Sequence, residues 1–269
     1  MPTTLILRTE AWVLSLLLFV LMIVFVWLGN FAGRHWRRKD FATASAAADE
    51  KSGFGSLEAG LFGLFGFILA ITFGMSGNRY DGYRNVIVQE ANDIGTAVLR
   101  SDLYPDSIRL EFRKDFKAYL EARIGYYEAG RDLDKIIEYK KEAALITSRI
   151  WKRATDMSKQ PNMLIPSNQM IPALNAMIDI TTTRESTLKA HIPDIIIIAL
   201  FVLALTVTFV AGFGSSVIRR KDWIIICGFS LLTSLVIYVT LDIGRPMRGL
   251  INAEVGQGAM VELRSMFDE

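Results

Sequence analysis

Four long apolar stretches break up an otherwise charged chain, and their spacing sets out its plan. Ala11 to Phe31 reads AWVLSLLLFVLMIVFVWLGNF with no charged residue. Leu57 to Gly77 is a greasy, glycine-studded run, Asp194 to Gly214 a third and Trp223 to Leu241 a fourth. Each can form a helix; at about 1.5 Å per residue, Leu57 to Gly77 would extend about 31 Å, against about 30 Å for a bilayer core. The second run continues without a break into RYDGYRNVIVQEANDIGTAVLRSDL, charged and helix-patterned, so one helix can lead from membrane into water.

Between the second and third runs the pattern turns amphipathic. Pro105-Asp106 predicts a helix start, followed by Ile108, Phe112, Phe116, Tyr119, Leu120, Ile124 and Tyr127 at helical spacing, with Gly130 as the stop. Leu133, Ile136, Ile137, Leu145, Ile146, Ile150 and Trp151 mark a second helix that fades before Pro161. Pro161, Pro166 and Pro172 predict a loop, and a third helix runs from about Ala173 to Ala190. No β-type alternation interrupts these, so the region reads as a helical bundle.

The fold class is therefore all-α: four transmembrane helices with a soluble helical bundle inserted between the second and third. By residue number this gives an N-terminal tail 1–10, spans at 11–33, 57–78, 192–215 and 223–241, and a basic loop and linker at 34–56. The bundle occupies 79–191, a short basic loop 216–222, and a polar, irregular tail 242–269. The first apolar run is too long for a signal peptide and its basic residues follow it, so it reads as a retained span. Trp12 and Trp27 lie near its ends, where interfacial anchors belong.

Composition narrows function mainly by exclusion. Hydrophobic residues make up 51% of the chain, too many for an ordinary soluble domain. The formal net charge of +2 gives no polyanion signal, so no nucleic-acid partner is expected. Cys227 is the only cysteine, which excludes an intrachain disulfide and a cysteine metal cluster. His35 and His191 are far apart and read as solvated side chains, so no metal or cofactor is expected. No P-loop, G-x-G-x-x-G, H-E-x-x-H or C-x-x-C occurs, and no catalytic set stands out. The chain does not read as an enzyme.

The basic loops Arg34 to Lys39 and Arg219 to Lys221 lie on one side, which the positive-inside rule makes cytoplasmic. The helical head would then be extracytoplasmic, although Arg79, Arg84, Arg184, Lys189, Arg245 and Arg248 lie near the membrane opposite those loops. In the second span Gly60, Gly63, Gly66 and Gly74 permit close helix packing. Phe65, Leu69, Phe73 and Gly66 are candidates for an apolar constriction of an oligomeric pore. Tight packing within a bundle is the other reading of the same residues. Glu58 sits at the mouth of this span as a cap.

A family resemblance rests on two motifs. Arg79-Tyr80-x-x-Tyr83-Arg84, Glu90-Ala91-Asn92-Asp93-Ile94-Gly95-Thr96-Ala97 and Arg100-Ser101-Asp102-Leu103 form the first. Leu241-Asp242-x-x-Arg245-Pro246-x-x-Gly249 forms the second, with Ile243-Gly244 as an insertion. Together with the four-span layout, they resemble the bestrophin-like family of bacterial multi-pass membrane proteins. More distantly, they resemble the true bestrophins, which are pentameric anion channels and keep the region between spans two and three in the cytosol. The resemblance implies a protein of the bacterial cytoplasmic membrane whose partners are the lipid bilayer, further copies of itself and a small anion. The alternative is a non-conducting sensor or scaffold whose head binds a protein or lipid. Arg79, Tyr83, Arg84, Glu90, Asn92, Asp242 and Arg245 would form the membrane–head junction. Arg79 and Asp242 end spans two and four on one side, so they could pair as a lock.

Overall fold

The computed structural model describes residues 9–39, 47–130, 132–190, 192–215, 220–245 and 254–268, and among them holds helices and turns but no strand. The α-helices are α1 (Ala11–Lys39), α2 (Ala47–Ser101), α3 (Asp106–Glu128), α4 (Leu133–Ser158), α5 (Leu164–Lys189), α6 (Asp194–Gly214), α7 (Arg220–Ile243) and α8 (Glu254–Glu262). Short 3₁₀ turns follow α4 and α8, at Pro161–Met163 and Leu263–Phe267. The chain divides into two compact units: residues 1–78 with 192–244, and residues 79–191 with 245–269.

In the first unit four helices are long and apolar enough to cross a membrane, in α1, α2, α6 and α7. Backbone polar groups in hydrocarbon must be satisfied internally, which helices achieve by themselves. The core of this unit joins Leu14, Leu18 and Met22 of α1 to Leu200, Ala204 and Val207 of α6 and to Ile237 of α7. Outward lie Leu16, Val20, Phe31, Ile195, Val202, Ile224, Ile225 and Leu232. An apolar surface of that extent suits lipid rather than water.

The closest packing is between α1 and α6, and glycine makes it possible. A Cβ on Gly29 would stand 2.0 Å from the Phe209 carbonyl oxygen, and one on Gly212 would stand 2.1 Å from that of Val26. Asn30 Nδ2 donates to the Ser215 carbonyl at 2.7 Å beside this crossing. The expected small-residue packing thus occurs on glycines other than those of the second span. Around Gly60, Gly63, Gly66, Gly74 and Gly77, nothing among the described residues lies within 4 Å of a Cβ position. On the other face of α2, Phe65 meets Phe229 edge-on at 6.5 Å, and Ser76 Oγ donates to the Thr240 carbonyl at 2.9 Å.

In the second unit the amphipathic patterns fold as helices around one core. Phe112, Phe116, Tyr119 and Leu120 of α3 are buried against Ile87 and Ile94 of α2, Ile150 of α4, and Met170, Leu174 and Met177 of α5. Pro105 precedes α3, and Gly130, at φ 53°, ends it in the left-handed region open to glycine. The Asp132 side chain caps α4 by accepting from the Lys135 amide at 3.2 Å.

Several predicted boundaries are corrected. The loop drawn across Pro161, Pro166 and Pro172 is largely helix, because α5 begins at Leu164 and takes in Pro172. Pro166 falls in the first turn, where an amide has no intrahelical acceptor, and the burial of Met170, Ala173 and Leu174 offsets the one bond that Pro172 omits. The tail is not irregular throughout: α8 docks on the second unit through Met260, which is fully buried, with Leu263, Met266 and Phe267 against the same core. Arg264 and Glu121 tie it to α3 at 2.6–2.8 Å, and Arg113 donates to the Met266 carbonyl at 2.8 Å. Helix also replaces part of each predicted basic loop: α1 runs to Lys39, α2 begins at Ala47 within the alanine-rich linker, and α7 begins at Arg220. Alanine's helix propensity accounts for the linker. On α4, Ile146 and Ile150 are buried, whereas Leu133, Ile137 and Leu145 lie outside. Residues 40–46 of the linker, His191, Arg219, Arg248 and the side chains of Arg37, Arg38 and Lys39 lie outside the described residues.

The close approach of α1 and α6 generates a prediction. Gly212→Ala puts a methyl group against backbone, so the helices must part, at a cost of about 1–3 kcal/mol for overpacking. We expect a lowered thermal midpoint in detergent, while Gly228→Ala, with nothing described within 4 Å, leaves it unchanged.

Candidate functional site

The most concentrated chemistry lies inside the second unit. Tyr83, Ile87, Glu90, Ala91 and Ile94 recur at three- and four-residue spacing along α2 and are buried, so Glu90 occupies a core position of its helix. Its side chain is 0% exposed. Arg123 Nε of α3 donates to Glu90 Oε1 at 2.5 Å, and Arg184 Nη1 of α5 donates to Glu90 Oε2 at 2.5 Å. One carboxylate thus joins three helices through two charge-assisted hydrogen bonds.

Aromatic rings close the cluster. Arg184 Cζ lies 3.4 Å from the centroid of the Tyr127 ring and 5.0 Å from that of Tyr126, and Arg123 Cζ lies 5.2 Å from that of Tyr126. Cations over ring faces are attracted by the ring quadrupole, more strongly when desolvated. Burial works against the charge of Arg123, but the neighbouring Glu90 carboxylate outweighs it and raises the pKa. Burial pushes the Tyr119 phenol up to about 12 and raises that of Tyr127 further, against the pull of Arg184. Both phenols therefore remain protonated at neutral pH. Tyr127 also borders a recess of about 30 Å³ lined by Ile124, Glu128, Gln257, Met260 and Val261, large enough for a water molecule.

The cluster is not saturated. Arg184 Nε and Nη2 and the Tyr127 hydroxyl are buried with no hydrogen-bond partner among the described residues, and the buried Tyr83 hydroxyl, within reach of the Arg184 guanidinium, donates to no acceptor there.

The candidates read from the sequence distribute unevenly. Glu90 and Tyr83 belong to this cluster, and Arg84 is half-buried on the same helix. Asn92 faces outward. Arg79 begins the second unit, Asp242 lies buried near the end of the first, and Arg245 belongs to the second. Among the constriction candidates, Phe65 is buried against Phe229 and Leu69 is half-buried, whereas Gly66 and Phe73 are exposed. The sequence pattern does not single out Arg123, and it marks Arg184 only as a charge near the membrane. The available signal was a lone arginine in register with Tyr119, Leu120 and Tyr127, within a helix otherwise apolar on that face.

The described residues, all helix and turn with four apolar helices of membrane length, define the multi-pass membrane class. The family model of the Bestrophin-like domain matches residues 20–255, and the chain belongs to the bestrophin-like family. Among solved structures, its fold is similar to the crystal structure of a point variant of a bacterial bestrophin homolog from Klebsiella pneumoniae. The TM-score is 0.63 at 10% identity, over 92% of this chain and 99% of that one. No curated protein matches the chain.

Removing the carboxylate tests the knot. Glu90→Gln leaves two buried guanidiniums without a counter-charge, and breaking a buried pair costs about 3–5 kcal/mol. We expect a fall in the thermal midpoint well beyond that of Glu121→Gln, whose pair with Arg264 is half-exposed and worth about 0–1 kcal/mol.

Proposed function

We propose that the protein assembles with further copies of itself in the cytoplasmic membrane, forms a pore lined by the apolar part of α2, and passes small anions. The observation that carries this reading is the outward face of α2. Gly63, Gly66, Ala70, Phe73 and Gly74 are exposed, and no described atom approaches the positions of Cβ atoms at these glycines. Small residues in lipid favour close approach of another helix, and a second copy would supply it. Exposed Phe67 and Phe73 on that part of α2 would then supply the apolar constriction, while Phe65 stays within its own subunit. Membership of the bestrophin-like family supports the choice of anion. The unit at 79–191 is the extramembrane helical head in this reading.

Purified protein in liposomes should carry chloride or iodide, and Gly66→Leu, which fills the open face, should reduce the flux. Absence of anion flux across a range of pH and calcium would refute conduction. That result would leave the second reading, a head that binds a partner, to which exposed Leu133, Ile137 and Leu145 on α4 lend support.

In this proposal the head lies outside the cytoplasm, a reading that the short basic loops support. Lys141, exposed on α4, is replaced by Cys in a Cys227→Ser background. Intact cells should then react with a membrane-impermeant thiol reagent. Labelling only after lysis would place the head in the cytosol, as in the true bestrophins.

A further inference from the structure

The Glu90 knot has an unused side. The N–H bonds of a guanidinium lie in its plane, so the rings of Tyr126 and Tyr127 over Arg184 can occupy its faces without using its donors. Nη1 is taken by Glu90. The remaining edge, Nε with Nη2, is the fork that elsewhere in this protein grips a carboxylate: Arg113 holds Asp102 through those two atoms at 3.0 and 3.2 Å. On Arg184 that fork is buried and has no partner among the described residues, and the side chain is 2% exposed. The Tyr83 hydroxyl stands within hydrogen-bonding reach of the Arg184 guanidinium, the charge of Arg184 also acts on Tyr127, and neither hydroxyl donates to an acceptor among the described residues.

Charge points the same way. Glu90 supplies one negative charge against Arg123 and Arg184, and the phenols are neutral, so the knot carries one excess positive charge. A further acid that feels Arg123, Glu185, is engaged by Lys140 at 2.5 Å and Lys189 at 3.8 Å. A water molecule would satisfy donors but leave that charge uncompensated in a desolvated site, which is costly. An anion answers both demands. We propose that the free edge of Arg184, with the hydroxyls of Tyr83 and Tyr127, binds a small inorganic anion of halide or nitrate size inside the helical unit. The site anchors the junction of α2, α3 and α5 within the second unit.

The test uses the full chain in detergent, titrated with sodium bromide against sodium gluconate at constant ionic strength and pH. Binding to the folded state alone raises the thermal midpoint with ligand concentration. A rise with bromide but not gluconate is expected. Tyr83→Phe and Tyr127→Phe, which keep the ring and remove one donor each, should weaken the apparent bromide affinity by about tenfold, the weight of a hydrogen bond to a charged group. Arg184→Gln should abolish the response but also removes the Glu90 bond, so the tyrosine variants decide. Equal midpoints in bromide and gluconate overturn the site, as does a bromide response that both tyrosine variants retain in full. Anomalous diffraction from bromide-grown crystals should give a peak beside Arg184; water alone there overturns the proposal. Anion flux without bromide stabilisation refutes this site and leaves conduction standing, and stabilisation without flux does the reverse.

Discussion

Glu90 accepts from two buried arginines, and three helices of the second unit are positioned by that geometry. A carboxylate and two guanidiniums removed from water are costly unless their bonds are short and well aimed. The surrounding tyrosines and the apolar core of Ile87, Ile94, Phe116 and Met177 exclude water, so the charges are held to one arrangement. The same exclusion makes the spare edge of Arg184 consequential. In water it would be solvated and of no account; inside the core it must find an acceptor.

The first unit is stabilised differently. Lipid provides no hydrophobic drive for one apolar helix to join another, so contact and backbone proximity decide. Gly29 and Gly212 bring α1 and α6 together, while hydroxyls such as Thr72, Thr208 and Thr240 return their hydrogen bonds to their own helices. The glycines in the apolar part of α2 have no described atom within 4 Å of their Cβ positions. A channel made from copies needs a face of that kind, which is why conduction and self-association form one proposal.

α2 itself is one helix of 55 residues whose two parts obey different rules. Toward its start the buried positions are Phe65, Thr72 and Ser76, set by packing in an apolar unit; toward its end they are Tyr83, Ile87, Glu90 and Ile94, set by a water-excluding core. The spacing is the same because the helix is the same. The chemistry differs because the first part is almost wholly apolar and the second carries charges among its apolar positions.

The sequence by itself determined most of the helices and the four apolar runs. A run of twenty or so apolar residues has few alternatives in water or lipid, and Pro105, Gly130 and the spacing from Phe112 to Tyr127 mark α3 by local geometry alone. The family motifs also drew attention to Tyr83 and Glu90. The tertiary structure alone decided what those residues meet. Arg123 is 33 positions from Glu90 and Arg184 is 94, separations at which helical periodicity carries no information. Likewise the sequence could name glycines but not say which would touch: those of α2 form the conspicuous series, yet Gly29 and Gly212 make the contact. Close approach depends on where two axes cross, and that is a property of the pair of helices. Pro172 within α5 and Met260 beneath α8 follow the same logic, because burial across long separations outweighed the local signals of loop and tail.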